Sequence, residues 1–444
     1  MKKTAAFLTL GCKVNSYETE AIRGMFEAAG YEIVDFKDVA DVYVVNTCTV
    51  TNIADRKSRQ MLHQARKRNP EAIIAAVGCY VQAKEEELLN DSSVDLVIGN
   101  NRKSEIVRLV EKYISEKNNY NMIVDIDEEK EYEDLHIIST MERTRAFIKI
   151  QDGCNRFCSY CIIPYVRGRV RSRDEKDILE EIKKLAGMGY KEFVLTGIHI
   201  SSYGTDGKLK QEDYNDMPLA KLIKAISVIP GVERIRLGSL EPSIITEAFV
   251  KEIAGIKQFC PHFHLSLQSG SNSVLMRMNR KYTAEEYEEK VGLIRKYFDI
   301  PAFTTDVIVG FPGETEEEFK ETLDFVQNIG FSHIHVFKYS KREGTIAAKM
   351  PNQIPEAIKQ KRSNELISVA KKMSLDYKAL FMGRIEKVLF EEEEDINGEK
   401  YQIGHNERYV KFALKSDENL INRIVQVKTD KLLTDDLLLC TIQQ

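Results

Sequence analysis

Short apolar runs at residues 4–10, 42–46, 73–77 and 94–98 alternate with helix-periodic stretches at 16–29, 52–68, 83–90 and 102–114. Such alternation predicts a parallel sheet with crossover helices. From 115 to 140 the chain turns polar and acidic, through Glu128-Glu129-Lys130-Glu131-Tyr132-Glu133-Asp134, which reads as a linker or solvated hairpin. A second series then carries six strand candidates, at 146–151, 193–196, 234–238, 263–268, 303–309 and 334–339. Six β/α units suggest a barrel or an open partial barrel with its chemistry at the carboxyl ends of the strands. A doubly wound sheet fits the same pattern. After a helical stretch near 355–382, the tail alternates like β structure at 385–390, 400–403, 409–414 and 424–428, the size of a small OB-like barrel. The expected fold class is α/β: an N-terminal parallel α/β sheet domain at 1–118, an acidic linker at 119–139, a central open partial barrel at 140–372 and a small C-terminal β-barrel at 373–444.

A chain of 444 residues exceeds one hydrophobic core, which agrees with this division. With 43% hydrophobic and 30% charged residues it is not a disordered chain. No apolar run approaches the ~18 residues that span a bilayer, so no membrane partner is expected. Met1-Lys2-Lys3, the apolar stretch to Leu10 and Cys12 together imitate a lipoprotein signal. Thr9 stands where such cleavage sites want an aliphatic residue, and a buried first strand explains the same residues better. The expected compartment is therefore a reducing cytoplasm, where the eight cysteines are thiols or metal ligands rather than disulfides.

Net charge is −5, so a polyanion would have to meet local patches. Between Arg143 and Arg173 seven arginines and one lysine face Asp152 alone, with Arg167, Arg169, Arg171 and Arg173 in strict alternation. A second cluster holds Arg56, Lys57, Arg59, Arg66, Lys67 and Arg68. Both suit phosphate contacts, and a solvated helix face is the alternative. The tail argues the other way, since the run 391–395 makes it acidic.

Cys154, Cys158 and Cys161 form a C-x3-C-x2-C triplet directly after the first strand of the second series. Three thiolates on one loop suit three irons of a 4Fe-4S cube, the fourth iron staying open for a ligand. A zinc loop with a borrowed ligand is the alternative. Cys12, Cys48 and Cys79 each come two residues after an expected strand, so a parallel sheet would deliver them to one carboxyl edge as a second trio. Each taken singly also reads as a buried structural thiol, as do Cys260 and Cys440. Gly197, Glu241, Gln268 and Gly310 fall at strand ends, where a barrel places ligand contacts. The segment from Asp306 to Glu314, containing Gly310-Phe311-Pro312-Gly313, would admit a nucleoside or simply form a tight turn. His262 with His264, and His333 with His335, share strand faces and read as inward polar contacts or as metal ligands.

Gly11-Cys12-Lys13-Val14-Asn15, Asn46-Thr47-Cys48, Gly78-Cys79, the triplet with Ile162-Ile163-Pro164 and Arg167-Gly168, Leu195-Thr196-Gly197, Gln268-Ser269-Gly270-Ser271 and Gly310-Phe311-Pro312-Gly313-Glu314 resemble, in order, the motifs of the radical SAM methylthiotransferases. The resemblance covers nearly the whole chain and extends to the family's TRAM domain in the tail. It implies two 4Fe-4S clusters held by the two trios, with S-adenosylmethionine contacts at Tyr160, Gly197, Glu241, Gln268, Asp306 and Gly310. It implies two molecules of S-adenosylmethionine per turnover, one cleaved reductively to a 5′-deoxyadenosyl radical and one donating a methyl group to cluster-bound sulfur. The implied partners are a tRNA anticodon arm and a small reducing electron-transfer protein. Among the family's substrates, the form around Cys12 resembles the subgroup acting on threonylcarbamoyl adenosine of tRNA. Prenylated adenosine of tRNA, an aspartate of a ribosomal protein, and a non-catalytic iron-sulfur RNA-binding role are the alternatives.

Overall fold

The structure, a computed structural model, describes residues 2–116, 120–137, 144–206 and 217–443. Its N-terminal sheet has six parallel strands in the order Glu32–Val34, Thr4–Thr9, Val42–Thr47, Ile73–Gly78, Leu96–Ile98, Tyr120–Met122. Val42–Thr47 and Ile73–Gly78 are buried throughout, which is why they read as unbroken apolar runs rather than alternations. Tyr43, Val45, Ile74 and Ala76 pack on helix Asn52–Arg68 through Met61, Leu62 and Ala65. The intervening Val42, Val44, Ala75 and Val77 face Ile22 and Phe26 of helix Lys13–Ala28 and Leu109 of helix Ile106–Glu116. The edge strands Glu32–Val34 and Tyr120–Met122 escaped the sequence reading because three residues carry too little periodicity.

The acidic segment after Met122 leaves most of its acids exposed, as expected of a linker, but it is anchored. Ile126, Leu135 and Ile137 are buried, and two of the acids are held: Glu133 accepts from the Ser104 backbone N–H at 2.9 Å and Glu129 from Asn101 at 2.6 Å. Tyr132 donates to the Lys149 carbonyl at 3.0 Å, which fastens this strap to the central domain. Residues 119, 138 and 139 of the expected linker, and Arg143, lie outside the described residues.

All six strands of the second series are present and parallel in chain order, from Arg145–Asp152 through Glu192–Gly197, Arg234–Leu237 continued by Ser239–Leu240, His262–Leu265 and Ala302–Val309 to His333–Lys338. The third bends at Gly238, which splits the curved sheet into two ladders. Arg171–Ser172 pairs antiparallel on the outer edge of the first strand. Helix Glu356–Ala379 packs along the last strand, and Tyr17 and Ala21 of helix Lys13–Ala28 enter the barrel core. That helix therefore belongs to two cores at once.

The tail closes into a five-stranded barrel rather than the four strands expected, ordered Ile385–Ile396, Glu399–His405, Lys411–Leu414, Leu437–Ile442, Ile424–Leu432. Asn397 and Gly398 turn the first hairpin with positive φ, the two-residue geometry that suits strand twist. The acidic run lies on the first strand, where Glu391 pairs with Arg145 at 2.6 Å and His405 at 3.1 Å. Arg234 donates to the His405 and Lys387 carbonyls at 2.9 and 2.7 Å, so the small barrel seats on the amino ends of the central strands. Among the described residues no helix is long and apolar enough to cross a membrane.

Candidate metal centres and the adjoining cavity

Cys12 caps helix Lys13–Ala28, Cys48 follows Val42–Thr47 directly, and Cys79 opens helix Cys79–Ala83 after Ile73–Gly78. The offsets are not the uniform two residues expected, because Thr47 and Gly78 extend their strands. All three still emerge at one carboxyl edge, beside the point where the strand order reverses. The thiols lie within one another's electrostatic reach, Cys79 acting on Cys12, and both Cys79 and Cys12 on Cys48. Gly11 has φ +100, and a Cβ there would stand 2.8 Å from the Cys48 Sγ, so only glycine lets the first and second segments approach this closely. Burial raises the Cys12 thiol, partly offset by Arg167, and pushes Cys48 up to about 12. A cation bound beside these thiols would favour their thiolate forms and make them ligands.

Arg167 joins this trio to the central domain. Its Nε donates to the Cys79 Sγ at 3.2 Å, its Nη1 meets Glu18 at 2.9 Å and Asp152 at 3.1 Å, and its Nη2 donates to Asn15 at 2.7 Å. Lys149 and Lys103 complete a buried network on Glu18 at 2.8 and 3.2 Å. Burial alone would raise the Glu18 carboxyl, yet Arg167, Lys103 and Lys149 hold it well below the ordinary value, and Lys149, Arg167 and Arg171 likewise outweigh burial at Asp152. Asn100 adds a donor to the Cys79 Sγ at 3.6 Å and to the Val166 carbonyl at 2.7 Å.

The second trio is local. Gly153 has φ +70, and a Cβ there would fall 1.8 Å from the Arg169 carbonyl oxygen. The loop is pinned by Cys154 N–H to the Gly168 carbonyl, Ser159 N–H to Met278 and Asn279 to Phe157, all at 2.9–3.0 Å. Cys158 and Cys154 both act on Cys161, whose thiol burial pushes up to about 12, and burial raises Cys154 too. Arg280 donates to the Cys158 Sγ at 3.2 Å. Among the described residues no three His, Cys, Asp or Glu side chains converge on a single ion position. A cubane spreads its three thiolates over three different irons.

The residues expected to contact S-adenosylmethionine fall into three places. Glu241 lies beside the triplet, bonded to Arg156 and within 3.3 Å of His199 and 3.7 Å of Arg280. Burial raises its carboxyl, but the His199 bond and these cations bring it down to about 2. Tyr160, Gln268 and Gly310 are packed: Tyr160 against Phe311, Gln268 at φ +71 bridging to Val307, and Gly310 in a turn whose N–H is taken by Glu314, itself held by Arg362 at 2.8 Å. Gly197 and Asp306 line a cavity of about 680 Å³ that reaches from Cys12 through the barrel to Arg408 and Tyr409 of the tail. His262, His264, His333 and His335 line it as well, the inward polar role expected of them. Cys260 and Cys440 are buried, as expected of core thiols.

The arginine alternation is corrected by the structure. Arg167, Arg171 and Arg173 are buried, because strand Arg171–Ser172 lies against Gln151 and Asp152 and turns these side chains onto acids and carbonyls. Arg173 pairs with Glu181, and Arg171 donates to the Arg167 carbonyl at 2.9 Å. Only Arg169 of the four is exposed, its guanidinium 4.5 Å above the Phe157 ring. In the other cluster Arg59 and Arg66 pair with Glu87 and Asp95, while Arg56, Lys57 and Lys67 stay exposed. Arg156, Arg280, His199 and Asn100 were not singled out from the sequence. Nothing in Gly-Cys-Lys-Val-Asn signals that Asn15 accepts from Arg167, 152 residues away.

Residues 148–326 match the model of the radical SAM superfamily, and residues 4–99 match the uncharacterized protein family UPF0004. The threonylcarbamoyladenosine tRNA methylthiotransferase MtaB of Bacillus subtilis (strain 168) is 43% identical, covering 96% of this chain and 93% of its own length. The MtaB of Aquifex aeolicus (strain VF5) is also 43% identical, over 89% and 95% of the two chains. The tRNA-2-methylthio-N(6)-dimethylallyladenosine synthase of Thermoanaerobacter pseudethanolicus (strain ATCC 33223 / 39E) is 38% identical, over 95% and 88%. Among solved structures, the radical S-adenosylmethionine methyltransferase TsrM from Kitasatospora setae, with cobalamin and a [4Fe-4S] cluster bound, shares the fold with a TM-score of 0.53 at 15% identity, over 76% and 75% of the chains. The chain belongs to the radical SAM methylthiotransferases. Membership implies an enzyme that uses a 4Fe-4S cluster and S-adenosylmethionine.

Proposed function

We propose that the chain adds a methylthio group to C2 of N6-threonylcarbamoyladenosine beside the anticodon of tRNA, with two 4Fe-4S clusters and two molecules of S-adenosylmethionine per turnover. Cys154, Cys158 and Cys161 hold one cluster, and Cys12, Cys48 and Cys79 the other. When bound, the first supplies the electron that splits S-adenosylmethionine and the second supplies the sulfur that is methylated and transferred. Arg280 steadies Cys158, and Arg167 steadies Cys79 while locking the two domains in one register. Gly197, Glu241, Gln268 and Gly310 at the carboxyl ends of the strands, Asp306 within strand Ala302–Val309 and Tyr160 on the triplet loop bind S-adenosylmethionine.

The observation that carries this reading is the contact of Arg167, six residues after Cys161 in the chain, with Cys79 of the other trio, together with a cavity lined by Cys12. The relatives named for threonylcarbamoyladenosine favour that substrate over the prenylated one. Its bulk fits a cavity of about 680 Å³, well inside the range of small-molecule sites. The adenosine can leave an anticodon loop without breaking a duplex pair. Exposed Arg56, Lys57, Lys67 and Arg169 are the cations we assign to the RNA backbone. A small reducing protein donates the electrons, in a reducing cytoplasm. We place the domain limits at 1–118, 140–372 and 373–444, with strand Tyr120–Met122 of the intervening segment completing the first sheet and helix Glu356–Ala379 running across the last limit.

Nucleoside mass spectrometry on tRNA from cells lacking the gene tests the substrate. Loss of the methylthio derivative, with threonylcarbamoyladenosine retained, is expected. Loss of the prenylated derivative instead would overturn the substrate while keeping the reaction. Cys48→Ala is expected to form 5′-deoxyadenosine yet no methylthio product, and Cys158→Ala neither. Full product from Cys48→Ala would refute the sulfur assignment.

A further inference from the structure

The cavity beside Cys12 contains an exposed cation, Lys13, that no ion pair engages among the described residues. Lys13 lines it at the first turn of helix Lys13–Ala28, and among the described residues no hydrogen bond or ion pair engages its Nζ. The Phe147 ring lies 5.9 Å from it. The other cations of the cavity wall are occupied: Lys411 by Glu394 at 3.0 Å, Lys378 by the Asp435 carbonyl at 2.6 Å, and Arg408 by the Asp299 and Ile300 carbonyls at 2.8 and 2.9 Å. Arg145 and Arg236 add to the positive field at Lys13 and Glu192 and Asp306 oppose it, but Glu192 is already shared among Arg145, Arg234 and Arg236. Asp306, an acid of the same cavity, is faced by His264 at 3.4 Å.

A second group points to a polar ligand. His262 is only 7% exposed, lines the same cavity, and has no partner for its Nδ1. A buried nitrogen left unpaired is costly, so it asks for a donor or acceptor from what enters.

We propose that Lys13 binds the carboxylate of the threonylcarbamoyl group and thereby selects this substrate over prenylated adenosine; the assignment rests on the proposed function. The threonyl tail offers a carboxylate, a hydroxyl and a urea, whereas a prenyl tail offers no polar atom. Binding a prenyl group would leave Lys13 and His262 desolvated without partners, and polar sites reject such analogues more strongly than apolar pockets reject extra groups. Lys13 and Cys12 line the same cavity, so a tail anchored at Lys13 holds its base in the space that Cys12 borders.

The test uses the holoenzyme and two anticodon stem-loop RNAs, one carrying threonylcarbamoyladenosine and one carrying its carboxamide, which keeps shape and removes charge. Wild type is expected to bind the acid about tenfold more tightly than the amide, the effect of one charged hydrogen bond. Lys13→Met is expected to bind the two equally, and Lys13→Arg to restore the preference. Because each protein is compared with itself, a general loss of folding cancels. A tenfold preference surviving in Lys13→Met would overturn the role of Lys13. Equal binding by wild type would overturn it too. In either case methylthio product from the threonylcarbamoyl RNA leaves the proposed function standing, and product only from a prenyl-adenosine RNA brings both down.

Discussion

The two cysteine trios reach similar chemistry by opposite routes. Cys154, Cys158 and Cys161 lie on eight consecutive residues, and the loop that shapes them is pinned by backbone bonds within the central domain. Cys12, Cys48 and Cys79 come from three strand ends, and their geometry exists only once the N-terminal sheet has formed. The distributed trio also depends on a foreign domain, since Arg167 of the central region donates to Cys79. A local site tolerates changes elsewhere in the molecule. A distributed one inherits every weakness of the interface that supports it.

Arg167→Met should therefore have the largest effect. It leaves Glu18 and Asp152 buried with fewer counterions, and breaking such a pair costs about 3–5 kcal/mol. Denaturant unfolding should show that loss, and iron should fall at the first trio before the second. A variant that kept wild-type stability would break the comparison.

Gly11→Ala is the next test, because it strains a positive φ and drives a methyl group into Cys48. Strain of this kind costs about 1–3 kcal/mol. Iron per chain should drop by about half while 5′-deoxyadenosine formation persists. Equal loss at both trios would show that they are not independent.

Acid sharpens the same point. Glu18 and Asp152 titrate below their ordinary values, so their contribution is present above the unfolded pKa near 4 and lost as pH falls through the lower folded values. Unfolding midpoints should be flat near neutrality and decline below about pH 4. Glu18→Gln should make that decline shallower, and an unchanged profile would remove Glu18 from the account.

The smallest effect is expected at Arg169. Arg169→Ala should lower the slope of log affinity for tRNA against log salt by about 0.7–0.9, one phosphate contact. Its stability should stay within about 0.5 kcal/mol of wild type, as for other surface substitutions. A salt slope identical to wild type would take Arg169 off the RNA path.

The contrast between the trios also explains what the sequence revealed. A contiguous triplet is visible at once, and the second trio was legible because parallel strands deliver their ends to one edge. The arginine alternation misled, since charge along a chain does not say whether an acid waits across a domain boundary. Glu18 is 149 residues from Arg167, and that pairing is tertiary. The anchoring of the strap at 123–137 was hidden for a related reason: Glu129 and Glu133 are matched by Asn101, Arg102 and Ser104, which lie outside it. The fifth strand of the tail, Leu437–Ile442, was missed although its pattern is apolar, because its partners are strands earlier in the tail.

The most direct measurement is iron and acid-labile sulfide in the anaerobically reconstituted protein, beside a variant in which Cys154, Cys158 and Cys161 are all alanine. Two independent sites predict about eight irons and eight sulfides per chain for wild type and about four of each for the variant. One zinc without sulfide in wild type, or a variant stripped of all iron, would contradict the account.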